Sequence, residues 1–275
     1  MYLKRSLLLI LVVYTNSVLA VAKDRLVVAT ALWEPNYTTE EGNGIYQQIV
    51  NKVYEDFAIH YEYASYTRSK ALVKEGKADL WLAAYAEEED YALYPTLPFD
   101  GDMISLVGLP SQTSVPEDLG TLSVAWVTGY QLQRYFDPPP RHYYEVESTD
   151  AALRMLLAKR IDYVIDESWN LEHQLAEDPS LQKRLRIWEL AILPVYPAFQ
   201  KNASGESLRE LWDQRMRLLF ESGWLQQLYQ QMDVEYRLTS CLSEDAKGEK
   251  TAITCLRIKP DAFKTPLLTK PQERQ

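Results

Sequence analysis

One helix-to-strand join occurs twice in this chain in nearly the same form. With Asp79 set on Asp162, the stretch from Tyr66-Thr67-Arg68 to Lys77-Ala78-Asp79-Leu80-Trp81-Leu82 is echoed from Thr149-Asp150-Ala151 to Arg160-Ile161-Asp162-Tyr163-Val164-Ile165. Ser65 then falls on Ser148, Leu72 on Met155 and Lys77 on Arg160. Helix-turn-strand joins share such a pattern even without common origin. The surroundings of the two copies narrow the choice. Before the first lie an apolar strand at Leu26–Thr30 and a helix face marked by Ile45, Ile49, Val53 and Phe57. A strand at His60–Tyr63 follows, then a helix from Ser69 to Glu75 ended by Gly76, then a strand at Leu80–Ala84. The second copy repeats that order. A strand at Leu122–Val127 leads to a helix opened by Gly129-Tyr130-Gln131, and a strand at His142–Val146 leads to a helix over Asp150–Ala158 and a strand at Tyr163–Ile165. Alternating strands and helices predict a parallel sheet covered by helices on both faces. Two such units in tandem predict an α/β protein of two lobes. A long helix follows, with Leu208, Leu211, Trp212, Met216, Leu219 and Phe220 on one face, then a break at Gly223 and a short helix from Leu225 to Met232.

The ends of the chain place it in a compartment. Lys4 and Arg5 precede an unbroken apolar run from Leu7 to Val13, and Ser17-Val18-Leu19-Ala20-Val21-Ala22 supplies small residues two apart. This reads as a secretory signal peptide over residues 1–22, cleaved after Ala20 or Ala22. The run is shorter than the roughly 20 apolar residues of a spanning helix. A periplasmic, soluble mature protein is therefore expected. Cys241 and Cys255 are the only two cysteines, and in an oxidising compartment they read as a disulfide. Closing that loop would constrain the unfolded chain by ~3 kcal/mol. Free thiols are the alternative, while a zinc site lacks the further ligands it would need. The formal net charge of −10, with no Lys/Arg stripe, argues against a nucleic-acid partner. No cofactor and no metal are expected.

The ordered landmarks resemble the amino-acid-type periplasmic solute-binding proteins, family 3 of bacterial ABC importers. The resemblance covers about Arg25 to Met232. It rests on the opening strand followed by the aromatic-Pro loop Trp33–Tyr37, on Gly44 before the first helix, and on Glu75-Gly76-Lys77-Ala78-Asp79-Leu80. Asp118-Leu119 with Val124 and Gly129, Lys159-Arg160-Ile161-Asp162 through Asp166, and Glu221-Ser222-Gly223-Trp224-Leu225 with Tyr229 complete it. The family implies a two-lobe, periplasmic-binding-protein-like (type II) fold, each lobe a sheet flanked by helices, joined by two hinge strands. Lobe one would hold residues 23–107 plus 198–238 and lobe two residues 108–197, with crossings near Met103–Gly108 and Leu193–Phe199. Residues 239–275 would be a C-terminal extension carrying the disulfide. The implied function is capture of a small polar molecule, an amino acid or related solute, by a monomer that delivers it to ABC-importer membrane subunits or docks on a membrane receptor.

In such sheets ligands sit at the carboxyl ends of the strands. Candidate ligand-binding residues are therefore Trp33 and Tyr37 after the first strand, Tyr66 and Arg68 after the second, and Tyr85 after the third. Gly129, Tyr130 and Gln131 stand at a strand-to-helix join whose N–H groups would favour an anion. Asp166 and Glu167 end the last strand of the second unit, where the resemblance implies an acid that holds the ligand's amino group. Ordinary readings stand beside these: core packing for the aromatics, a surface position for Arg68, helix capping for the two acids. One departure matters. The family's carboxylate-clamping arginine is missing after the third strand, where Glu87-Glu88-Glu89-Asp90 stands and reads as a solvated helix start. No catalytic motif is present, so a non-enzyme is expected. The alternative is an exported enzyme resembling cyclohexadienyl dehydratases, with Glu167 or Asp166 as general acid.

Overall fold

The computed structural model describes residues 24–238 apart from 34, 117, 137 and 138. The expected signal peptide and the expected Cys241–Cys255 bridge lie outside the described residues. In chain order the elements are β1 (Arg25–Thr30), α1 (Ile45–Val53), β2 (Ala58–Tyr63), α2 (Tyr66–Lys74), β3 (Leu80–Tyr85), β4 (Ala92–Leu93), β5 (Asp100–Gly108), β6 (Ser123–Val127), β7 (His142–Val146), α3 (Thr149–Leu157), β8 (Tyr163–Glu167), α4 (Ser168–Glu177), β9 (Arg186–Gln200), α5 (Ala203–Glu221) and α6 (Trp224–Gln231).

The two halves are built alike, and the echoed residues account for it. β1 lies between β2 and β3, all parallel, and β6 lies between β7 and β8, all parallel. Asp79 accepts the N–H of Val27 at 2.7 Å and so ties the turn before β3 to β1. Asp162 accepts the N–H of Ser123 at 2.8 Å and ties the turn before β8 to β6 in the same way. Ser65 caps α2 by accepting from the N–H of Arg68, and Ser148 caps α3 by accepting from that of Ala151. The repeated sequence thus marks repeated hydrogen bonds.

β5 and β9 join the halves. They run antiparallel side by side from Asp100↔Val195 to Gly108↔Arg186. β9 also pairs with β3, and β5 with β8, so the strand order is β2-β1-β3-β9-β5-β8-β6-β7. Hydrogen bonding is therefore continuous through the crossing ribbon, while the strand tips of the two halves face each other across a cleft. α5 returns to the first half and buries Leu208, Trp212, Met216 and Leu219. The Trp212 indole donates to the Leu97 carbonyl at 3.0 Å, which satisfies its one polar atom in the core.

Two sequence expectations are corrected here. Gly129-Tyr130-Gln131 does not open an α-helix. Gly129 and Gln131 adopt left-handed φ values of 97° and 49°, and only a 3₁₀ turn at Leu132–Tyr135 follows. The prolines at 138–140 cannot supply the N–H groups that would extend it. The acid run also starts no helix. Glu87 turns the chain at a φ of 56° toward the short strand β4.

Candidate functional site

The loop after β1 is held from below by α1. Trp33 and Thr38 form a two-way bridge in which the Trp33 N–H also donates to the Thr38 hydroxyl at 2.9 Å. The N–H groups of Ile45 and Tyr46 donate to the carbonyls of Asn36 and Tyr37 at 2.8 and 2.9 Å. This close approach depends on Gly44, where an added Cβ would lie 2.3 Å from the Tyr37 oxygen. Its φ of −64° is ordinary, so contact alone demands glycine. Gly44→Ala is expected to push the loop out of the cleft and to lower stability by about 1–3 kcal/mol, the usual range for overpacking. A urea titration checks the stability. The fluorescence of Trp33 should change with it, and an unchanged melting curve would contradict the contact.

The cleft is walled by rings. Trp33, Tyr37, Tyr46, Tyr66 and Tyr85 come from the first half, Tyr130 and Trp169 from the second, and its empty space including the mouth is about 410 Å³. Ala83 completes the wall at a φ of 62°, where β3 bulges between Trp81 and Ala84 against β9. Edge-to-face pairs bridge the halves: Tyr37 on Trp169 at 5.9 Å, Tyr66 on Tyr130 at 5.9 Å and Tyr85 on Tyr135 at 5.6 Å between ring centres. Such pairs favour a closed arrangement by roughly 0.5–1.5 kcal/mol each.

The floor is acidic. Asp102 of the crossing strand β5 and Glu167 at the end of β8 both line the cleft. The Tyr85 hydroxyl donates to Asp102 at 2.9 Å, and the Tyr46 hydroxyl donates to Asp100 at 2.9 Å. Burial and the nearby charge of Asp100 push the Asp102 carboxyl up to about 7. Burial pushes Asp100 up to about 6, against the opposing effect of its bond from the Gly101 N–H. Glu167 is raised well above the usual carboxylate range, first by burial and then by Asp102, Asp166 and Asp100. Arg237 lowers all three through its field, and it is itself paired with Glu235 at 3.5 Å. Asp102, which is buried, and Glu167, which is half-buried, therefore share a site that raises both carboxyls above the ordinary range. Among the described residues no cluster of His, Cys, Asp or Glu is arranged to hold a metal ion.

The acid run after β3 is only partly solvated, with Glu87 and Asp90 exposed but Glu88 and Glu89 turned inward. Glu88 is 0 % exposed and accepts from Lys70 at 2.7 Å, while Lys70 also meets Glu89 at 2.6 Å. The Tyr66 hydroxyl makes a short hydrogen bond to Glu88. The second half closes onto this group. Lys70 donates to the Gly129 carbonyl at 3.3 Å, Gln131 donates to Glu89 at 3.0 Å, and Arg134 donates to the carbonyls of Glu87 and Glu88 at 2.9 Å. At the expected anion site Gly129–Gln131, the Gly129 carbonyl faces the Lys70 ammonium and the Gln131 amide already donates to the Glu89 carboxylate.

Of the sequence candidates, Trp33, Tyr37, Tyr66, Tyr85, Tyr130 and Glu167 are brought together around one space. Gly129 and Gln131 lie beside it in the contact between halves. Arg68 does not reach it, because its guanidinium is half exposed and pairs with Glu75 at 3.1 Å. Asp166 lies behind the wall. It accepts from the Thr149 hydroxyl at 2.7 Å, from Asn170 at 2.9 Å and from the Glu167 N–H at 2.8 Å, and so holds α3 and α4 to β8. Glu167 is the N-cap of α4, yet its side chain makes no capping bond. Sequence reading missed Tyr46, Asp100, Asp102 and Trp169. The Asp-Gly-Asp step at the head of an otherwise apolar strand was the available signal.

No family model matches the chain, and no curated relative does. Solved structures do match. One is the GluR0 ligand-binding core from Nostoc punctiforme in complex with L-glutamate, at 19% identity over 75% of this chain and 98% of that one, with a TM-score of 0.57. This chain has the two-lobe periplasmic-binding-protein fold. Another match of that fold is GshT of Streptococcus mutans, from work on glutathione import, at 17% identity over 78% and 97% of the two chains and a TM-score of 0.59. A third is the amino acid ABC transporter substrate-binding protein AbpA from Streptococcus pneumoniae bound to L-arginine, at 19% identity over 76% and 94% and a TM-score of 0.56. In the two-lobe fold, ligands enter between lobes that close by hinge motion. The bridged, ring-walled cleft stands at that position.

Proposed function

We propose that this protein is an exported solute-binding protein of the amino-acid-importer type, family 3. It captures a small polar solute between lobes divided along β5 and β9 and passes it to ABC-importer membrane subunits or to a membrane receptor. In this reading the signal peptide at 1–22 sends it to the periplasm and Cys241 pairs with Cys255. It acts as a monomer. Trp33, Tyr37, Tyr66, Tyr85, Tyr130 and Glu167 hold the solute. The observation that carries the reading is the cleft, at the carboxyl ends of the strands, with aromatic pairs closing it from both sides. Two of the matched structures hold small polar solutes, glutamate and arginine, which supports a solute of that general kind.

Native mass spectrometry of the purified protein, joined to a thermal-shift screen of amino acids, polyamines, short peptides and organic acids, tests it. A solute at ~100 times its Kd stabilises by about 2.7 kcal/mol. A clear upward shift with at least one polar solute is expected. A protein that co-purifies with nothing and shifts with nothing is not a solute binder. The exported-enzyme reading has one support, a Glu167 that lines the cleft with its carboxyl raised above the usual range, while the matched binding proteins do not favour it. Constant prephenate and arogenate concentrations over hours of incubation would remove it.

A further inference from the structure

We infer that the cleft selects an organic cation, an amine or quaternary ammonium solute without a carboxylate. This rests on the solute-binding reading and narrows it to one chemical class. Three observations meet here. The walls are aromatic faces, which attract cations through the ring quadrupole. Among the described residues, the only charged side chains lining the space are Asp102 and Glu167. And, among the described residues, the positive groups Arg68, Lys70, Arg134 and Arg237 are already engaged elsewhere.

The last point decides against an α-amino acid. Lys70 is nearly buried between Glu88 and Glu89. Arg68 pairs with Glu75 on the outer face of α2, and Arg134 is bound to the carbonyls of Glu87 and Glu88. Arg237 pairs with Glu235 and does not line the cleft. At the start of α3, a natural place for an anion, the Ala151 N–H is taken by Ser148 and the Thr149 hydroxyl by Asp166, and the open space that reaches this helix end brings Asp150 beside it rather than a cationic side chain. A ligand carboxylate would enter beside two acids and find no forked donor. A ligand cation would pair with two acids that, among the described residues, have no cation in contact, and would meet ring faces on both sides. The unusually high proton affinity of the pair fits that picture, since the proton occupies the place a cation would take.

Isothermal titration calorimetry on the full mature chain at pH 8 tests the inference with five probes: putrescine, choline, L-arginine, L-glutamine and L-glutamate. Putrescine or choline should bind at least tenfold more tightly than any of the three amino acids. In the Asp102→Asn/Glu167→Gln double variant that binding should weaken at least a hundredfold, and Glu167→Gln alone should weaken it about tenfold if the double variant fails to fold. An amino acid that binds more tightly than both cations overturns the inference and leaves the solute-binding reading in place. Full cation affinity in the folded carboxyl variants overturns it as well. No heat with any probe, together with no co-purifying solute, overturns both.

Discussion

Asp102→Asn should melt higher than the parent protein at pH 8 in the absence of any solute. The parent carboxyl is held at about 7 by burial and by Asp100, far above its ordinary value. An acid raised on folding makes the native state bind more protons than the unfolded chain. Stability from this group is therefore fully present below the unfolded value near 4 and is lost as pH climbs through about 7. The expected gain on substitution at pH 8 is about 2–4 kcal/mol. The amide keeps the shape and can still accept the Tyr85 hydroxyl. Groups facing this carboxyl are Asp100 on its own strand, Glu167 on β8, Tyr85 on β3 and the more distant Arg237; of these only Asp100 raises it, while the hydrogen bonds of Tyr85 and Glu167 and the field of Arg237 lower it. At pH 5 the folded parent is protonated there while the unfolded chain still gains from ionising, so the gap should shrink to about 1–2 kcal/mol, and it should close below about pH 4. Urea denaturation at both values of pH reads this directly, and equal stability at pH 8 would show that the carboxyl carries no such load. A site that destabilises its own fold in order to bind is a familiar exchange of stability for function.

Lys70→Met should be the most damaging single change outside the cleft. Its ammonium is the shared partner of Glu88, which has no exposed surface, and of Glu89. Removing one member of a buried ion pair leaves a charge without its counterpart and costs about 3–5 kcal/mol. Burial already raises the Glu88 carboxyl, with Lys70 as the main opposing influence, so in the variant it should take up a proton and the loss should shrink in acid. The same ammonium reaches the Gly129 carbonyl of the opposite half, and Gln131 reaches Glu89. The variant should therefore also open the cleft. A lower urea midpoint and a larger radius of gyration in solution scattering are expected together. Adding Glu88→Gln to Lys70→Met should recover part of the midpoint, because the stranded charge is then gone. A double variant no better than the single one would refute the ion-pair account.

The scaffold was legible in the sequence because local rules govern it. Apolar runs such as Leu26–Thr30 and Leu80–Leu82 can only be buried strands between helices, and Asp79 and Asp162 recur because each fastens a turn to the strand beside it. The ring wall was legible for a related reason: residues just past a strand tip face the same end of the sheet. The charges were not. Glu88 reads as solvated until α2 folds Lys70, 18 positions earlier, against it. Asp102 sits on a strand whose crossing role depends on pairing with β9, some 90 residues away, at Leu193. Arg68 and Asp166 have the right chemistry for a ligand, yet each is engaged by a partner, Glu75 or Thr149, that spacing alone does not choose between. The helix expected at Gly129 gave way to a tight turn because left-handed residues and a proline run outweigh propensity.

The ribbon of β5 and β9 does more than tether two bodies. Asp102 stands on it opposite Leu193, takes a hydrogen from Tyr85 on one side and lies against Glu167 on the other. Any flexing of the ribbon must stretch one of those two links. The strand that joins the halves and the acid that lines the cleft are thus one piece of backbone, so in the proposed binding cycle a solute beside Asp102 would act on the hinge directly, with no relay between them.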